Sequence, residues 1–450
     1  MTTRKNLTFI DLFAGCGGMS LGLENAGFDP VYVNELNPDA LETYLMNRKK
    51  LYPLLDKFYS NDIKELVGNK NQGLKNLKNK FIKHGVDPDQ IDLIVGGPPC
   101  QGYSGIGHRR LHAVDKLDIP ANKLYKDMAK VIAYFKPRAF LFENVKGLHS
   151  ARWKKDGVKG EIFKDVLKTF KNIPGYNVRW STLYAKNYGV PQNRPRIFIV
   201  GFKKNIFVSH ENVLLGDSSV EKPDALKAKF LPEKQNNGFV NLEDLLGDLI
   251  DENYILGEET VKYPEDAKTP QQIEMRLKSR NGRKIMKKGS ILLEQKYSNH
   301  KKKIQDKFAF MRRVDGKKPK DYSKKEREEA KIYKTKKFSQ RVLPARWENG
   351  SGPWMTATSL PDDYVHYDQD RSLTVREWAR IQTFPDWYKF CGKRTTGGIR
   401  RAGRPGENIH DRELPKYTQI GNAVPVKLAE AIGEHFAQIL KKNKKQRSKK

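Results

Sequence analysis

Short apolar runs alternate with segments of helical spacing from residue 7 to about residue 204. The runs LTFIDLF, PVYVNEL, IDLIVGG, RAFLFENV, VRWSTLY and RIFIVGF predict strands. Between them, MSLGLENAG, PDALETYLMNR, KLYKDMAKVIAYF and EIFKDVLKTFKNI predict helices. Strands and helices that alternate in this way favour an α/β fold: a doubly wound, mostly parallel sheet with helices on both faces.

The pattern weakens after residue 204. Periodic segments are shorter from about 205 to 345, and residues 278 to 337 are dense in Lys and Arg. Helical spacing returns in SLTVREWARIQTFPDWY, where Ser372 or Thr374 is placed to cap the helix and Pro385 to stop it. A last amphipathic helix is predicted in VPVKLAEAIGEHFAQIL, followed by the tail KKNKKQRSKK, whose composition predicts disorder. We therefore predict a first domain over 1–204, a smaller basic domain over 205–353, a return to the first domain over 354–440 and a disordered tail over 441–450.

Charge and cysteine content narrow the class of protein. A net charge of +32 and a pI near 9.8 favour a polyanionic partner, with a solubilising lysine-rich surface as the alternative. Cys16, Cys100 and Cys391 lie far apart, which argues against a disulfide framework and a four-ligand zinc site, so we expect no metal. No run reaches the ~18–20 apolar residues of a membrane span, and the first residues lack the apolar core of a signal peptide. We expect a soluble, intracellular protein.

The strand IDLIV ends in the stretch GGPPCQGYS. Pro98 and Pro99 stop the strand because proline has a fixed φ and no N–H, and they hold Cys100 at its carboxyl end. Ligands of open α/β sheets bind at these ends, so Cys100 is a candidate nucleophile. The alternative is a small buried hydrophobic residue, and this stretch alone leaves it open.

A glycine-rich turn and two acids form a second set of candidates. Gly15, Gly17 and Gly18 join the first strand to a helix, a turn that serves dinucleotides, S-adenosylmethionine or plain packing. Glu35 ends the next strand, where an acid is placed to accept hydrogen bonds from ribose hydroxyls, although an exposed structural acid would look the same. Asp62 precedes IKEL, where a binding acid and a helix cap cannot be told apart.

Two further candidates are an acid at the carboxyl end of a strand, where Cys100 is also expected, and a pair of arginines where the chain enters another strand. Glu143 ends RAFLFENV, and a carboxyl group in an apolar setting has a raised pKa and can donate a proton. Arg194 and Arg196 lie at i and i+2 in PQNRPRIFIVG, on one face of the extended chain. If both guanidinium groups point into a crevice, they can bind a phosphate or a carbonyl oxygen. If they are ordinary surface charges, they bind no ligand.

Together the motifs resemble those of the DNA (cytosine-5)-methyltransferase family. They are FAGCGG, PPCQGYS, ENV, QNRPR, SLTVREWARIQTFPD and QIGNAVP, in that order. They cover about 8–204 and 354–437 and leave the central basic region as the family's variable target-recognition domain. A Cys after Pro at this position separates the family from amino-methyltransferases, whose corresponding loop ends in an aromatic residue. The resemblance implies S-adenosylmethionine as cofactor, lying across Phe13, Gly15 and Gly17, with Glu35 on the ribose, Asp62 near the adenine amino group and Asn422 closing the pocket.

The resemblance also implies a mechanism. The target cytosine is flipped out of the duplex. The Cys100 thiolate, on a backbone stiffened by Pro99, then adds to C6 and makes C5 nucleophilic. Glu143 donates to N3 and Arg196 binds O2, with Arg194 and Gln192 supporting the site. The stretch after Cys100 resembles the family's mobile loop. In that loop Ser104, Arg109 and Arg110 are candidate phosphate contacts, although they would look the same as ordinary polar and charged surface residues.

The leading hypothesis is the modification enzyme of a bacterial restriction-modification pair. It acts as a monomer in the cytoplasm on double-stranded DNA, and it protects that DNA from a partner endonuclease that it need not touch. A tRNA cytosine-5 methyltransferase of the same family is the first alternative, but that branch has a small central region. A DNA-binding protein that has lost activity is the second, but Cys100, Glu143 and Arg196 are all present. The Gly- and Arg-rich segment from about 392 to 416 either contacts DNA or only connects elements.

Overall fold

The computed structural model of the protein describes residues 6–99, 120–154, 156–215, 222–235, 238–280, 282–315, 317, 319–333, 341–359, 361–395 and 413–447. Strands β1 to β7 form one sheet in the order β3-β2-β1-β4-β5-β7-β6, and β8 and β9 form a separate parallel pair. Their bounds are Leu7–Leu12, Phe28–Asn34, Tyr59–Ser60, Leu93–Gly96, Ala139–Val145, Tyr176–Tyr184, Pro195–Lys203, Arg341–Val342 and Tyr364–Val365. The helices α1 to α14 span Gly18–Asn25, Pro38–Met46, Ile63–Val67, Gln72–Lys83, Leu124–Phe135, Glu161–Lys171, His210–Leu214, Leu242–Leu246, Pro270–Met275, Lys302–Arg313, Lys324–Tyr333, Val375–Ile381, Lys416–Asn422 and Val426–Arg447.

The large sheet is parallel except at β7. That strand pairs antiparallel with β5 on one side and β6 on the other, whereas the remaining neighbours pair in parallel. The predicted mostly parallel sheet is therefore confirmed. Because β7 runs in the opposite direction, its first residues lie at the edge where β4 and β5 end, and this reversal brings Arg196 to Glu143.

Both faces of the sheet are buried, as the continuous apolar runs predict. Ile94 points into a cluster that it shares with helices α3 to α6, whereas Leu93 and Val95 point into a cluster shared with α1 and α14. Ile206, Phe230 and other residues up to Leu231 also pack into the second cluster. This packing favours a domain boundary later than the predicted residue 205.

A third cluster joins the central region to the returning chain. Leu242, Leu246 and Leu249 pack there with Trp378 and other apolar residues around α12. In the same place the buried guanidinium of Arg380 bridges Asp248 of the central region and Asp386 of the returning chain. A buried arginine is tolerated when its charge is paired, so this bridge fixes the central region against the sheet.

The returning chain confirms one cap and corrects one prediction. Helix α12 begins with a capping box in which Thr374, rather than Ser372, accepts from the N–H of Glu377. Helix α14 extends to Arg447, so the predicted disorder of the tail is wrong for residues 441–447. The side chain of Asn443 explains the extension in part, because it donates to and accepts from the backbone of Phe207 at 2.8 Å and so fastens the helix to the fold. Within the described ranges, no helix is both apolar enough and long enough to span a bilayer.

Candidate active site

The turn after β1 combines an unusual backbone with open space. Phe13 has φ of 58° and Gly15 has φ of 56°. A positive φ is uncommon for a bulky residue such as Phe13 and marks a position that its surroundings hold in place. No atom of the residues that the structure describes lies within 4 Å of a Cβ placed on Gly15, so the turn has room for a ligand there.

Glu35 holds this turn. Its carboxylate accepts from the N–H of Gly15 at 2.8 Å and from the N–H of Asn37 at 2.8 Å. Burial raises the pKa of Glu35, and these backbone donors oppose the change. The acid at the end of β2 therefore has a positioning role in addition to the ribose contact that the sequence predicts.

Gly17 is required by packing as well as by any ligand. A Cβ on Gly17 would lie 2.7 Å from Nη1 of Arg48. That arginine is buried, pairs with Glu24 at 2.5 Å and donates to Tyr388 at 2.7 Å. Packing, one of the alternatives that the sequence leaves open, therefore explains why Gly17 has no side chain.

The other two predicted cofactor residues lie at helix ends, Asp62 before α3 and Asn422 at the end of α13. Asp62 caps α3 by accepting from the N–H of Lys64 at 2.8 Å, and it follows Ser60, whose carbonyl accepts from the N–H of Glu35. Asn422 is exposed and ends α13. The chain just after it packs on α1, since a Cβ on Gly18 would lie 2.4 Å from the carbonyl oxygen of Val424.

The chain leaving β4 passes between two side chains of β5. A Cβ on Gly97 would lie 2.7 Å from Oε2 of Glu143, so a side chain there would displace the Glu143 carboxylate. Asn144 donates from Nδ2 to the carbonyl of Pro98 at 3.1 Å, and its Oδ1 accepts from the N–H of Val145. Pro98 is buried and Pro99 is exposed. The backbone that leads to residue 100 is thus held directly beside Glu143.

Glu143 and Arg196 form a buried charge pair at this edge. Nε of Arg196 lies 2.7 Å from Oε1 of Glu143, and only 9% of Glu143 is exposed. Burial raises the pKa of Glu143, although the nearby guanidinium groups of Arg196 and Arg194 lower it. Burial likewise lowers the pKa of Arg196. The Nε–H of Arg194 has no hydrogen-bond acceptor in the described part of the chain, whereas the Nε–H of Arg196 faces the carboxylate of Glu143.

Gln192 and Arg194 connect this edge to the returning chain. Gln192 donates to the carbonyl of Ile381 at 3.0 Å and accepts from the N–H of Ala357 at 3.0 Å. Arg194 donates to the carbonyls of Ala357 and Gly421. Two of its donors are therefore committed to the backbone, which makes Arg194 a positioning residue beside Arg196.

Four predicted residues lie outside the described ranges. They are the candidate nucleophile Cys100 and the candidate DNA contacts Ser104, Arg109 and Arg110. Three further residues position the candidate site and were not predicted from the sequence: Asn144, Arg48 and Ala357. The ENV motif already pointed to Asn144, because alternation along a strand places it on the face opposite Glu143. Arg48 and Ala357 act through long-range contacts that no local pattern signals.

The comparisons with known proteins decide the family. The model of the family described as C-5 cytosine-specific DNA methylase matches residues 7–438. The chain belongs to this family of methyltransferases. It is 30% identical over 437 residues to the Type II methyltransferase M.DdeI of Desulfomicrobium norvegicum, covering 96% of this chain and 88% of that protein. It is 27% identical to M1.HphI of Haemophilus parahaemolyticus, covering 97% of this chain and 88% of that protein.

The fold of this chain is similar to that of a solved methyltransferase structure. The chain resembles the crystal structure of a prophage-encoded DNA modification methyltransferase of E. coli with a TM-score of 0.61. The match has 23% sequence identity and covers 97% of this chain and 99% of that one. The seven-stranded sheet with one reversed strand is thus the methyltransferase fold expected from the sequence.

Proposed function

We propose that the protein transfers the methyl group of S-adenosylmethionine to C5 of a cytosine within a specific double-stranded DNA sequence, through a covalent bond between Cys100 and C6 of the flipped-out base. The observation that carries this proposal is the buried pair of Glu143 and Arg196 beside Gly97 and Pro98. It lies where β4 and β5 end and β7 begins, which is where ligands of this sheet type bind.

The chemistry of cytosine explains why such a pair is useful. C5 becomes nucleophilic only after a thiolate adds to C6, and that addition puts negative charge on the ring at N3. Burial raises the pKa of the Glu143 carboxyl group and so favours its protonated form, which can donate a proton to N3. Glu143 would relieve the developing charge in this way, and Cys100 would leave again once C5 has lost its proton.

Arg196 is suited to the O2 oxygen of the same ring. Its Nε lies 2.7 Å from Glu143, and its Nη1 donates to the carbonyl of Pro195 at 3.0 Å. A guanidinium carries more N–H donors than these two contacts use, so it can also donate to a carbonyl oxygen that enters the site. Gln192 and Arg194 would keep this arginine in place through their bonds to the returning chain.

The turn after β1 fits the cofactor that the family uses. Gly15 offers open space, Glu35 offers a carboxylate held 2.8 Å from the Gly15 N–H, and Phe13 offers a ring at the edge of the same turn. When bound there, S-adenosylmethionine supplies an electrophilic methyl group. Asp62 and Asn422 would complete the binding site.

The biological role that we propose is host protection. The relatives M.DdeI and M1.HphI are Type II methyltransferases, and by analogy this enzyme would modify a short sequence that a partner endonuclease cuts. We propose that it works as a monomer in the bacterial cytoplasm and meets the endonuclease only through the DNA that both recognise. The basic central region would read the sequence.

Mapping of 5-methylcytosine at base resolution tests the proposal. Unmethylated plasmid DNA is incubated with S-adenosylmethionine and the wild-type protein, Cys100→Ser or Glu143→Gln. We expect methylation confined to one short sequence for the wild type, none for Cys100→Ser, and a rate about 10²- to 10⁴-fold lower for Glu143→Gln, the usual contribution of a general acid. Full activity of Cys100→Ser would refute the assigned nucleophile.

A substrate containing 5-fluorocytosine tests the covalent step separately. An enzyme that adds Cys100 to C6 cannot lose fluorine from C5 and should stay bound to the DNA during denaturing electrophoresis. Trapping on tRNA but not on DNA would indicate the RNA-acting branch of the family. Tight DNA binding without trapping or methylation would indicate a binding protein instead.

A further inference from the structure

An exposed tryptophan lies next to the candidate active site. Trp354 is 37% exposed, and the residue after it, Met355, accepts at its carbonyl from the N–H of Asn193 at 2.8 Å. Thr356 then donates from its side chain to the carbonyl of Asn193 at 2.6 Å. Two hydrogen bonds thus connect the chain directly after Trp354 to the segment that carries Arg194 and Arg196.

Neighbouring aromatic residues and the backbone hold Trp354 in place. Its ring contacts Tyr364 with centroids 6.1 Å apart, and Tyr364 in turn contacts the fully buried Trp378 at 6.0 Å. The hydroxyl of Tyr364 accepts from the N–H of Thr356 at 3.1 Å. Gly352 has φ of 70°, and a Cβ there would meet the ring of Phe239 at 2.6 Å, so the turn before Trp354 is also fixed.

The side chain of Arg341 lies against the Trp354 ring. The guanidinium carbon of Arg341 lies 4.1 Å from the centroid of the Trp354 ring, and Arg341 is exposed. Among the residues with a described structure, no carboxylate pairs with Arg341 and no acceptor binds the indole N–H of Trp354. Arg346, on the same stretch of chain, differs because it pairs with Glu243 at 3.0 Å and with Asp244 at 3.1 Å.

We propose that Arg341 and Trp354 bind a backbone phosphate of the DNA close to the flipped cytosine and so position the duplex over the active site. The proposal rests on the proposed function. A guanidinium and an indole N–H are both donors, and a phosphate oxygen accepts from either. The ring under the guanidinium limits the rotamers of a long side chain, so less freedom is lost when the phosphate binds.

The experiment measures DNA binding as a function of salt for the full-length protein. The probes are a duplex containing the methylated sequence found by mapping and a duplex with that sequence scrambled. We compare Arg341→Gln, Trp354→Phe, which keeps a ring under Arg341 but removes the N–H, and Arg346→Gln, a nearby arginine that already has acidic partners.

A phosphate contact predicts a specific pattern. Arg341→Gln should weaken binding to both duplexes by the same factor, about five- to tenfold at low salt, and should reduce the slope of log affinity against log salt by about 1. Trp354→Phe should weaken both by a smaller common factor, and Arg346→Gln should leave the slope unchanged. The turnover number at saturating DNA and the affinity for S-adenosylmethionine should stay at the wild-type values, since neither residue touches the reacting atoms.

Two outcomes would overturn the assignment. A wild-type slope and affinity for Arg341→Gln would show that the pair does not meet DNA, and a loss confined to the specific duplex would indicate a base contact instead of a phosphate. Failure of the wild-type protein to bind or methylate either duplex would refute the proposed function itself, which keeps the two failures distinguishable.

Discussion

Glu143 and Asn144 use the two faces of strand β5 for different purposes. Successive side chains of a strand point to opposite faces, so Glu143 meets Gly97 and Arg196 while Asn144 reaches the carbonyl of Pro98. One side chain supplies a proton-binding group, and the next holds the backbone that leads to the candidate nucleophile Cys100. The ENV motif therefore joins chemistry and positioning in adjacent residues.

Replacing Asn144 with alanine should separate these two contributions. Asn144→Ala removes the donor to Pro98 and lets the following loop shift, and a misplacement of about 1 Å can cost roughly 10²-fold in rate. We expect turnover to fall by about that factor while the affinity for S-adenosylmethionine is kept, measured by single-turnover methyl transfer and by calorimetry. Asn177→Ala, an amide at the start of strand β6 and far from this edge, is the matched control. Equal turnover of Asn144→Ala and wild type would contradict the role.

Sequence patterns predicted several candidate site residues but not the contacts that hold them. Strand ends predicted Glu35 and Glu143 because a parallel sheet collects its carboxyl ends at one edge, whereas Arg196 reaches that edge only because β7 is reversed. The second contacts could not be predicted, since Gly17 is required by Arg48, a residue on a different element. Such pairings depend on tertiary packing, which local patterns do not encode.

At the scale of elements, the first and last helices are packed unusually closely. A Cβ on Gly22 of α1 would lie 2.4 Å from the carbonyl oxygen of Val426 and 2.5 Å from the N–H nitrogen of Glu430 in α14. Gly433 in α14 faces Ala26 in the same way. The glycines let two distant parts of the chain meet at backbone contact, and α1 also begins at the candidate cofactor turn.

The Gly22→Ala substitution should therefore change the free energy of unfolding in two opposite ways, through helix propensity and through packing. Alanine in a helix is favoured over glycine by about 1 kcal/mol, but the added methyl group has no room and overpacking typically costs about 1–3 kcal/mol or more. Because the methyl group would meet backbone atoms, which cannot turn aside, we expect the upper part of this cost and a net loss of about 2 kcal/mol or more in the free energy of unfolding, measured by denaturant titration. Lys75→Ala, at an exposed position of α4, should change it by no more than about 0.5 kcal/mol. A more stable Gly22→Ala protein would show that the two helices can separate without cost.

Elements differed in how well their patterns predicted them. Helix α12 was predicted with Ser372 or Thr374 as its cap because both residues directly precede the helical pattern, and the structure selects Thr374. Helix α4 was missed, since its sequence QGLKNLKNKFIK buries only Leu74, Leu77 and Phe81 and otherwise resembles a polar linker. The last turns of α14 were missed because their lysine-rich composition gives no sign of the hydrogen bonds from Asn443 to Phe207.

At the scale of the whole molecule, some of the positive side chains are already paired with acidic residues and are less able to bind a ligand. In the helical pair α10 and α11, Arg313 pairs with Glu329, and Lys317 pairs with Glu326 at 2.7 Å. These pairs support the view that part of the basic central region is an ordinary solvated surface. The net charge of +32 nevertheless leaves many cations without such partners, and a DNA duplex is the ligand that matches this field.

The field predicts a strong dependence of DNA binding on salt. Each phosphate neutralised by the protein releases a counterion, and a protein with 6–10 such contacts loses about 10³–10⁵ in affinity between 50 and 200 mM salt. We expect a loss of this size for unmethylated duplex DNA in fluorescence anisotropy titrations. The affinity for S-adenosylmethionine, for which we propose the turn after β1 as the binding site, should change little over the same range because its binding releases no phosphate counterions, and it serves as the control. A flat response of DNA binding would mean that the cations face solvent and that contacts other than phosphates hold the duplex, whereas a parallel loss for both ligands would indicate that salt perturbs the protein itself.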